Sequence, residues 1–407
     1  MYECTYALRG TSGIPRDTRN LVSILDSLND VQLVVNLGST EDQDVPSRIK
    51  SKLNKSKVTL QSLFQGFLGN DCIEIERVNQ ERGDALLIKN HIAQVGTLWK
   101  MKINYLGRFI RVIFRNPMTL NISGYDFFIQ QQIDPISVRG VARHIVRLHD
   151  ILPVTHPKFF KIRAALFFKI ALLRMLKNQA ISWVMDTNAS ADDFKALYGS
   201  RVDVAVIPSL IEPEFIDSEI SLHKKKTILM VNTIEPRKGV EAAIEAFVSL
   251  QKCQSIDFEW QFVIAGNQGW KSRTLMKKLR SGYFGNSVIY KEGLSNPEIV
   301  ALMSESAVIV SASAAEGFGL PPLEGTAMGC VAAVSDIPQH RETLGKFGFY
   351  FNPADQGDIE RVLKIACEHS GTLSGEEFAE MRRYIDSRFG KVTVQQMWDS
   401  YIWSKRK

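Results

Sequence analysis

The C-terminal half of this 407-residue chain alternates short apolar runs with helical segments, and this alternation restricts the fold more than any other feature. The apolar runs lie at 227–233, 260–266, 287–293, 307–313 and 330–336, and helical spacing is found at 240–250, 271–280 and 296–306. Continuous apolar strands separated by helices indicate a parallel sheet with helices on both faces. We therefore predict a doubly wound α/β domain over residues 227–385, with ligands bound beyond the carboxyl ends of its strands.

A second, similar α/β domain is predicted over residues 1–207. Its buried strands are expected at 31–37, 144–150, 180–187 and 202–209. Residues 38–120 show no clear period, and we expect long loops plus helices there. The polar stretch 208–226 is predicted to be the linker, and 386–407 to be a terminal helix that packs back on the N-terminal domain. Two domains agree with the length, which exceeds what one hydrophobic core usually holds.

Composition describes an ordinary soluble chain, with 45% apolar and 23% charged residues. No apolar run reaches the roughly 18 residues of a spanning helix, and the sequence MYECTYALRG lacks the layout of a secretory signal. The five cysteines are scattered, without CxxC or metal-ligand spacing. Reduced thiols in the cytoplasm are the expected state.

Positive charge is concentrated in the N-terminal half, which suggests an anionic partner. Residues 1–207 carry 27 Lys and Arg against 19 Asp and Glu, a net charge of +8, whereas the remainder carries −2. Acidic residues are absent from 85–125 and from 157–179, each of which holds six basic residues. The second window is also rich in Phe, Leu and Ile. It is read either as a membrane-surface helix or as a core helix whose lysines cover a solvated edge, and both interpretations stay open.

The stretch AAEGFGLPPLEG (314–325) places carboxylates on both sides of a turn that enters a helix. Glu316 follows the strand at 307–313, while Gly317 and Gly319 allow close approach of a ligand to the backbone. Two prolines suit the first helical turn, where free amides bind anions. Glu324 would then lie in that first turn, where a purely structural role is to complement the helix dipole. That role leaves Glu316 unexplained, so amides for phosphate and carboxylates for sugar hydroxyls together indicate a nucleotide-sugar site.

Three further loops agree with this interpretation. NTIEPRKG (232–239) puts Arg237 and Lys238 between a strand and the next helix, where a diphosphate could bind. In LHDILP, His149 ends a buried strand, although a lone histidine is more often structural. RGTSGIPRDTRNL (9–21) is a glycine-bearing loop that enters a helix at Pro15.

These motifs together resemble retaining glycosyltransferases of family 4. EGFGLPPLE matches the family's two glutamates separated by seven residues, and TIEPRKG, AGNQGW, LHDILP and GIPRDTRNL match in the same order. The resemblance covers most of the chain, densest over 227–355 and thin over 38–120. It implies the GT-B fold, in which two Rossmann-like doubly wound domains face each other with the active site in the cleft between them.

The resemblance also implies roles for individual residues. Glu316 would contact hydroxyls of the donor sugar and Glu324 the ribose of the nucleotide. Arg237 and Lys238 would hold the diphosphate as it leaves, and His149 would face the donor sugar from the other domain. The catalytic residues implied are Glu316, Lys238, Arg237 and His149.

The remaining donor-binding residues implied by the resemblance are Glu324, Gly317, Phe318, Gly319, Leu320, Gly13 and Asn232. Backbone amides of 318–320 would touch phosphate or sugar, and Gly13 would border the cleft near the phosphates. The chain departs from the family at two positions. Asn232 stands where the family usually has glycine, and Thr233 where many members have an arginine that binds phosphate. The phosphate charge therefore falls more heavily on Arg237 and Lys238.

The expected activity is retaining, metal-independent transfer of a hexose from a nucleoside-diphosphate sugar. No cofactor or metal is expected, and the DQD string at 42–44 is read as a loop. The motifs resemble those of polysaccharide mannosyltransferases that use GDP-mannose, with a glycan or lipid-linked acceptor in lipopolysaccharide O-antigen synthesis. Expected partners are the donor, that acceptor and an anionic membrane on its inner face, and no nucleic acid.

Two alternatives stay open. A nucleotide-sugar 2-epimerase has the same fold, but it has no use for a basic acceptor domain or for the glutamates in this pattern. An inactive glycosyltransferase-like binding subunit would usually have lost Lys238 or a motif glutamate, and both are present.

Overall fold

The computed structural model describes residues 2–3, 13–26, 33–36, 75–78, 98–101, 118–131, 133, 136–200, 202–218 and 224–406. The chain divides into two compact units. Unit 1 comprises Met1–Met185, Asp193–Val206 and Met397–Lys407, and unit 2 comprises Asp186–Asp192 and Ile207–Gln396. Each unit therefore contains segments that are distant in sequence.

Among the described residues, unit 1 holds an eight-stranded sheet in the order β3-β4-β2-β1-β5-β6-β7-β8. Its strands are β1 Tyr2–Glu3, β2 Leu33–Asn36, β3 Ile75–Val78, β4 Leu98–Met101, β5 Met118–Gln130, β6 Ile136–Arg147, β7 Ile181–Met185 and β8 Val204–Val206. Neighbouring strands pair in parallel, apart from β3 and β4, which are antiparallel. The four strands predicted in this half are confirmed as β2, β6, β7 and β8.

Within the stretch 38–120, where long loops plus helices are predicted, the structure describes only 75–78, 98–101 and 118–120. Its described residues form β3, β4 and the start of β5, while the DQD string at 42–44 lies outside the described residues. β5 has the sequence MTLNISGYDFFIQ, in which Asn, Ser and Gly interrupt the apolar pattern. β5 pairs in parallel with β6 over most of its length, with a shift of register between Asn121 and Tyr125. This pairing supplies backbone hydrogen bonds that stabilise the strand and that cannot be predicted from the local sequence.

Unit 2 contains a parallel six-stranded sheet in the order β11-β10-β9-β12-β13-β14. Its strands are β9 Lys225–Val231, β10 Gln261–Ala265, β11 Val288–Lys291, β12 Ser306–Ser311, β13 Val331–Ser335 and β14 Gly348–Phe351. Successive residues of β12 enter opposite cores: Val308 packs in one apolar cluster and Ile309 in the other. A sheet buried on both faces explains the continuous apolar runs, and the predicted doubly wound domain is confirmed.

The helices surround these two sheets. They are α1 Gly13–Asp26, α2 Leu152–Thr155, α3 Ile162–Met175, α4 Asn188–Tyr198, α5 Pro213–Ile216, α6 Val240–Lys252, α7 Arg273–Arg280, α8 Asn296–Glu305, α9 Leu320–Ala327, α10 Pro338–Leu344, α11 Gln356–Ser370, α12 Gly375–Phe389 and α13 Lys391–Arg406. Within the described part of the chain, none of them is both long and apolar enough to cross a membrane.

The described residues of the predicted linker, 208–226, belong to unit 2, and the predicted terminal helix, 386–407, is divided between the two units. Ile211, Phe215 and Ile216, from the polar stretch expected to be a linker, are buried in one core of unit 2. At the C-terminus, α13 begins in unit 2 and ends in unit 1, where Trp398 is buried and lies under the Arg147 guanidinium.

Candidate active site

The order of strands in unit 2 places two of the predicted loops side by side. Connections run outward from the centre of the sheet in opposite directions, so the topological switch point lies between β9 and β12. In open α/β sheets, ligands bind beyond the carboxyl ends of the strands at this point. The loop after β9 carries Arg237 and Lys238, and the loop after β12 carries Glu316. The Ala314 N–H donates to the Arg237 carbonyl oxygen at 2.7 Å, which ties the two loops together.

A short 3-10 turn, Pro236–Lys238, fixes the two cations. The turn ends at Gly239, which has φ of +63° and caps α6. A Cβ at this position would lie 2.2 Å from the Ala312 carbonyl oxygen. Glycine is therefore required both for the left-handed backbone and for close packing against the loop after β12.

Arg237, Lys238 and Glu316 form one buried ion-pair cluster. Arg237 Nη1 donates to Glu316 Oε2 at 2.8 Å, and Lys238 Nζ donates to Glu316 Oε1. Ser313 Oγ donates to the same Glu316 Oε1 at 2.6 Å. On its other side, Arg237 Nε lies 2.6 Å from Glu235 Oε1. The predicted pair of cations and the first motif glutamate are therefore parts of a single charge cluster.

Burial and charge act in opposite directions on the groups of this cluster. Burial alone would raise the pKa of Glu316, but Lys238 and Arg237 outweigh it, so this pKa is far below its usual range. Burial raises the pKa of Glu235 despite the nearby Arg237. Burial also lowers the pKa of Lys238, although Glu316 opposes that shift. Glu316 is consequently a stable carboxylate, held as a hydrogen-bond acceptor by fixed donors.

The second motif glutamate lies deeper than expected. Gly319, with φ of +89°, is the N-cap of α9, so Glu324 is the fifth residue of the helix and lies beyond its first turn. Its side chain is almost fully buried. Complementing the helix dipole, which falls off within the first turn, is therefore a weak explanation for this glutamate.

The backbone between the glutamates is held by packing on one side. The Phe318 ring packs edge-on against Phe389, with ring centroids 5.4 Å apart, and is buried in the core of unit 2. This arrangement leaves the backbone, rather than the Phe318 side chain, to face a ligand. Leu320 begins α9 and is half-buried.

A buried histidine that the sequence analysis did not single out lies against this turn. His340 Nδ1 is 2.9 Å from the Ser335 carbonyl oxygen, so Nδ1 carries the proton and Nε2 has the free lone pair. The His340 ring would be 3.1 Å from a Cβ on Gly319. Burial lowers the pKa of His340, which keeps the ring neutral. The sequence could have indicated this histidine, because SDIPQHRE follows β13, the strand next to β12.

Asn232 follows β9 at the same edge of the sheet. Its N–H donates to the Ala265 carbonyl oxygen at 3.1 Å, which continues the pairing of β9 with β10. Its side-chain oxygen is buried, and no group of the described residues donates a hydrogen bond to it.

The predicted residues from the other half lie in unit 1. His149 Nε2 is 3.0 Å from Gln131 Nε2, which also donates to Asp17 Oδ2 at 2.7 Å. Arg147 holds the same Asp17 carboxylate through two hydrogen bonds of 2.8 and 3.1 Å. Gly13 is the first residue of α1, the helix that carries Asp17. His149 thus belongs to a polar cluster with three partners that the sequence analysis missed, because they come from α1, β6 and the end of β5.

Over the described ranges, no group of three or more His, Cys, Asp or Glu side chains is arranged to hold a metal ion.

The two sheets and their connections define the GT-B class of folds. Sucrose-phosphate synthase from Thermosynechococcus elongatus is similar over 99% of this chain and 98% of its own, with a TM-score of 0.68 and 12% identity. Anabaena Alr3699/HepE, solved in complex with UDP-glucose, is similar over 99% and 98%, with a TM-score of 0.59 and 13% identity.

A comparison of the sequence with protein families identifies the domain in unit 2 more closely. Residues 211–383 match the family described as Glycosyl transferases group 1, so unit 2 carries a group 1 glycosyltransferase domain. This match contains the loops of Arg237, Lys238 and both motif glutamates.

Curated relatives include bacterial O-antigen mannosyltransferases. The serotype-specific mannosyltransferase WbdA of Escherichia coli is 27% identical in an alignment of 255 residues that covers 57% of this chain and 31% of WbdA. The O-antigen chain mannosyltransferase RfbU of Salmonella typhimurium is 25% identical over 222 residues, 54% of this chain and 59% of RfbU. The chain thus matches less than a third of WbdA.

Proposed function

We propose that this protein is a retaining, metal-independent glycosyltransferase that transfers mannose from GDP-mannose to a glycan or lipid-linked acceptor in O-antigen synthesis. The observation that carries the proposal is the buried cluster of Arg237, Lys238 and Glu316 at the switch point of a group 1 glycosyltransferase domain. The choice of mannose rests on the relatives, several of which are named mannosyltransferases.

The chemistry follows from where charge develops. As the bond between the sugar C1 and the diphosphate oxygen breaks, negative charge grows on the diphosphate, and the nearby cations Arg237 and Lys238 stabilise it. The acceptor oxygen bonds to C1, and its proton passes to the departing phosphate oxygen. Glu316 is a poor nucleophile because two cations and Ser313 hold it, and this favours a role in binding sugar hydroxyls over a covalent intermediate.

A binding panel tests this proposal. Calorimetry with GDP, UDP and ADP should show binding, tightest for GDP, and Lys238→Ala should weaken it strongly. The control is Lys226→Ala, because Lys226 is an exposed lysine in β9 that pairs with Asp257 and Glu259, away from the switch point. If no nucleoside diphosphate binds to the wild type, or if both variants bind equally, the proposal is wrong.

The acceptor side of the proposal includes contact with an anionic membrane through α3. One face of this helix is buried at Ala165, Leu172 and Met175. The opposite face exposes Ile162, which is 85% accessible, and Leu166. Basic residues of α3 and its N-cap flank this apolar stripe, and 157–179 contains no acid. An apolar stripe with basic flanks fits an anionic bilayer surface, which attracts each nearby Lys or Arg by about 1 kcal/mol.

Vesicle binding separates this helix from an ordinary core helix. Changing Lys161, Arg163, Lys169 and Arg174 to Gln together should reduce sedimentation with vesicles containing phosphatidylglycerol, and should reduce the sensitivity of binding to salt. The matched control replaces Lys252, Lys277, Lys346 and Lys364 of unit 2 with Gln. If the wild type ignores anionic vesicles at low salt, or if both variants lose binding equally, α3 is not the contact.

A further inference from the structure

A turn from the middle of the chain contacts the backbone between the two motif glutamates. Residues 186–192 follow β7 in sequence, yet they belong to unit 2. The Gly317 carbonyl oxygen lies 3.1 Å from Thr187 Oγ1 and 3.2 Å from Ser190 Oγ, and both hydroxyls are placed to donate to it. Thr187 and Ser190 are almost completely buried.

This turn is itself held rigidly. The Ser190 N–H donates to Thr187 Oγ1 at 3.1 Å, and the two hydroxyls are 2.9 Å apart. Glu342 accepts from the Asn188 N–H at 2.7 Å and from the Ala189 N–H at 2.9 Å, which satisfies the first amides of α4. Thr187 Oγ1 has one proton, which it can donate either to Ser190 Oγ or to the Gly317 carbonyl, while Ser190 Oγ donates to the same carbonyl. The two hydroxyls therefore form a fixed polar contact on the Gly317 carbonyl.

Fixing the Gly317 carbonyl also fixes the amide that follows it. The peptide unit is planar and trans, so the Phe318 N–H projects on the side opposite to the Gly317 carbonyl. The Phe318 ring is already buried against Phe389, so the unit is held at both ends. Within the described part of the chain, no backbone carbonyl accepts a hydrogen bond from the Phe318 N–H. This N–H lies in the loop that also carries Glu316.

We propose that Thr187 and Ser190 are positioning residues, which hold the Gly317–Phe318 peptide so that its N–H is aimed at the diphosphate of the donor. This inference rests on the proposed function and extends it to two residues about 130 positions away in sequence. A donor aimed in advance stabilises developing negative charge without reorganisation during the reaction. Without the two hydroxyls, the Gly317 end of the peptide is no longer held, and its carbonyl can turn toward the phosphate and repel it.

The test compares hydroxyl removal with hydroxyl retention. Thr187→Val and Ser190→Ala should each lower kcat for nucleotide release from GDP-mannose about tenfold or more, since losing a preorganised donor costs about 10²–10³. The double variant should lose little more than the worse single variant, because both hydroxyls act on one carbonyl. Thr187→Ser, which keeps the hydroxyl, should restore most of the rate.

A second measurement distinguishes positioning from general destabilisation. In hydrogen exchange, GDP should protect the peptide that contains Phe318 in the wild type and in Thr187→Ser, but less in Thr187→Val and Ser190→Ala. The control is Ser306→Ala, which removes a buried hydroxyl bonded to a backbone carbonyl at the start of β12. It should match the wild type in kcat and protection.

The outcomes separate the two proposals. A wild type that releases no nucleotide from any donor overturns the proposed function, and this inference with it. A wild type that turns over while Thr187→Val and Ser190→Ala remain equally active, or lose no more than Ser306→Ala does, overturns this inference alone.

Discussion

At the scale of single residues, the two motif glutamates have different surroundings. Glu316 is bonded to Arg237, Lys238 and Ser313, so it competes with an incoming diphosphate for the same two cations. Glu324 lies in the second turn of α9 and is buried. The two carboxylates are therefore expected to act on different parts of the donor.

Neutral substitutions should separate these roles. Glu316→Gln releases Arg237 and Lys238 from a buried negative charge, so GDP should bind as tightly as to the wild type or more tightly, while kcat falls. We propose that Glu324 contacts the ribose in ground and transition states alike, so Glu324→Gln should weaken GDP binding and raise the donor KM. Calorimetry and donor kinetics measure both effects.

The control for this pair is Glu305→Gln, an exposed glutamate that pairs with Lys225. It should behave as the wild type does. The assignment is wrong if Glu316→Gln and Glu324→Gln weaken GDP binding to the same extent, or if neither changes binding or turnover.

Residues of the candidate site could be proposed from the sequence where they belong to a local motif, and could not where they depend on contacts between distant segments. Arg237, Lys238 and Glu316 could be proposed from the sequence because each is a charged residue in a loop that follows a strand. Thr187 and Ser190 were not found, because a buried serine or threonine has no distinctive local signal and their partner is distant in sequence. That Glu316 pairs with both cations also required the structure, since their mutual geometry depends on which strands are neighbours.

At the scale of elements, the strands of unit 2 could be predicted because they are buried on both faces. Their continuous apolar runs contrast with the amphipathic helices between them. β14, with the short sequence GFYF, was not predicted. Unlike the edge strand β11, which has the sequence VIYK, it contains no β-branched residue. β5 was missed because its turn-forming residues are stabilised by pairing with β6, which local sequence does not reveal.

The pairing of β5 with β6 also predicts an acid-sensitive element. His144 Nε2 on β6 is 2.9 Å from Gln130 Oε1 on β5, and burial lowers the pKa of His144 to about 4. The unfolded chain takes up this proton near pH 6.5, whereas the folded chain does so only near pH 4. The free energy of unfolding is therefore unaffected by protonation of His144 above about pH 6.5. Between about pH 6.5 and pH 4 it falls by about 1.4 kcal/mol per pH unit, because the unfolded chain binds the proton first.

The prediction is tested with His144→Gln, which can keep a hydrogen bond to Gln130 but does not titrate. The free energy of unfolding in urea, measured between about pH 7 and pH 5, should fall less steeply for this variant than for the wild type. His156→Gln, at a half-buried histidine of unit 1, is the control. Equal slopes for the wild type and His144→Gln would contradict a neutral buried His144.

At the scale of the whole molecule, each unit is completed by segments from elsewhere in the chain. Residues 186–192 belong to unit 2 although strands of unit 1 precede and follow them, and Met397–Lys407 belongs to unit 1 although it follows unit 2. Composition predicts a single linker, because a polar stretch can be recognised in the local sequence. The assignment of 186–192 to unit 2 and of 397–407 to unit 1 cannot be recognised there. Trp398, buried near Arg147, shows how the terminal segment is held in unit 1.

We propose that this chain breaks the sugar–phosphate bond of a nucleotide sugar with retention of configuration. The most direct test follows isotopically labelled GDP-mannose by NMR in the presence of the protein, with released GDP measured in parallel. We predict that GDP and the first mannosyl product appear together, that this product has the α configuration of the donor, and that Lys238→Ala slows both by about 10²–10³. A donor that stays intact, or a first product of β configuration, would contradict the account.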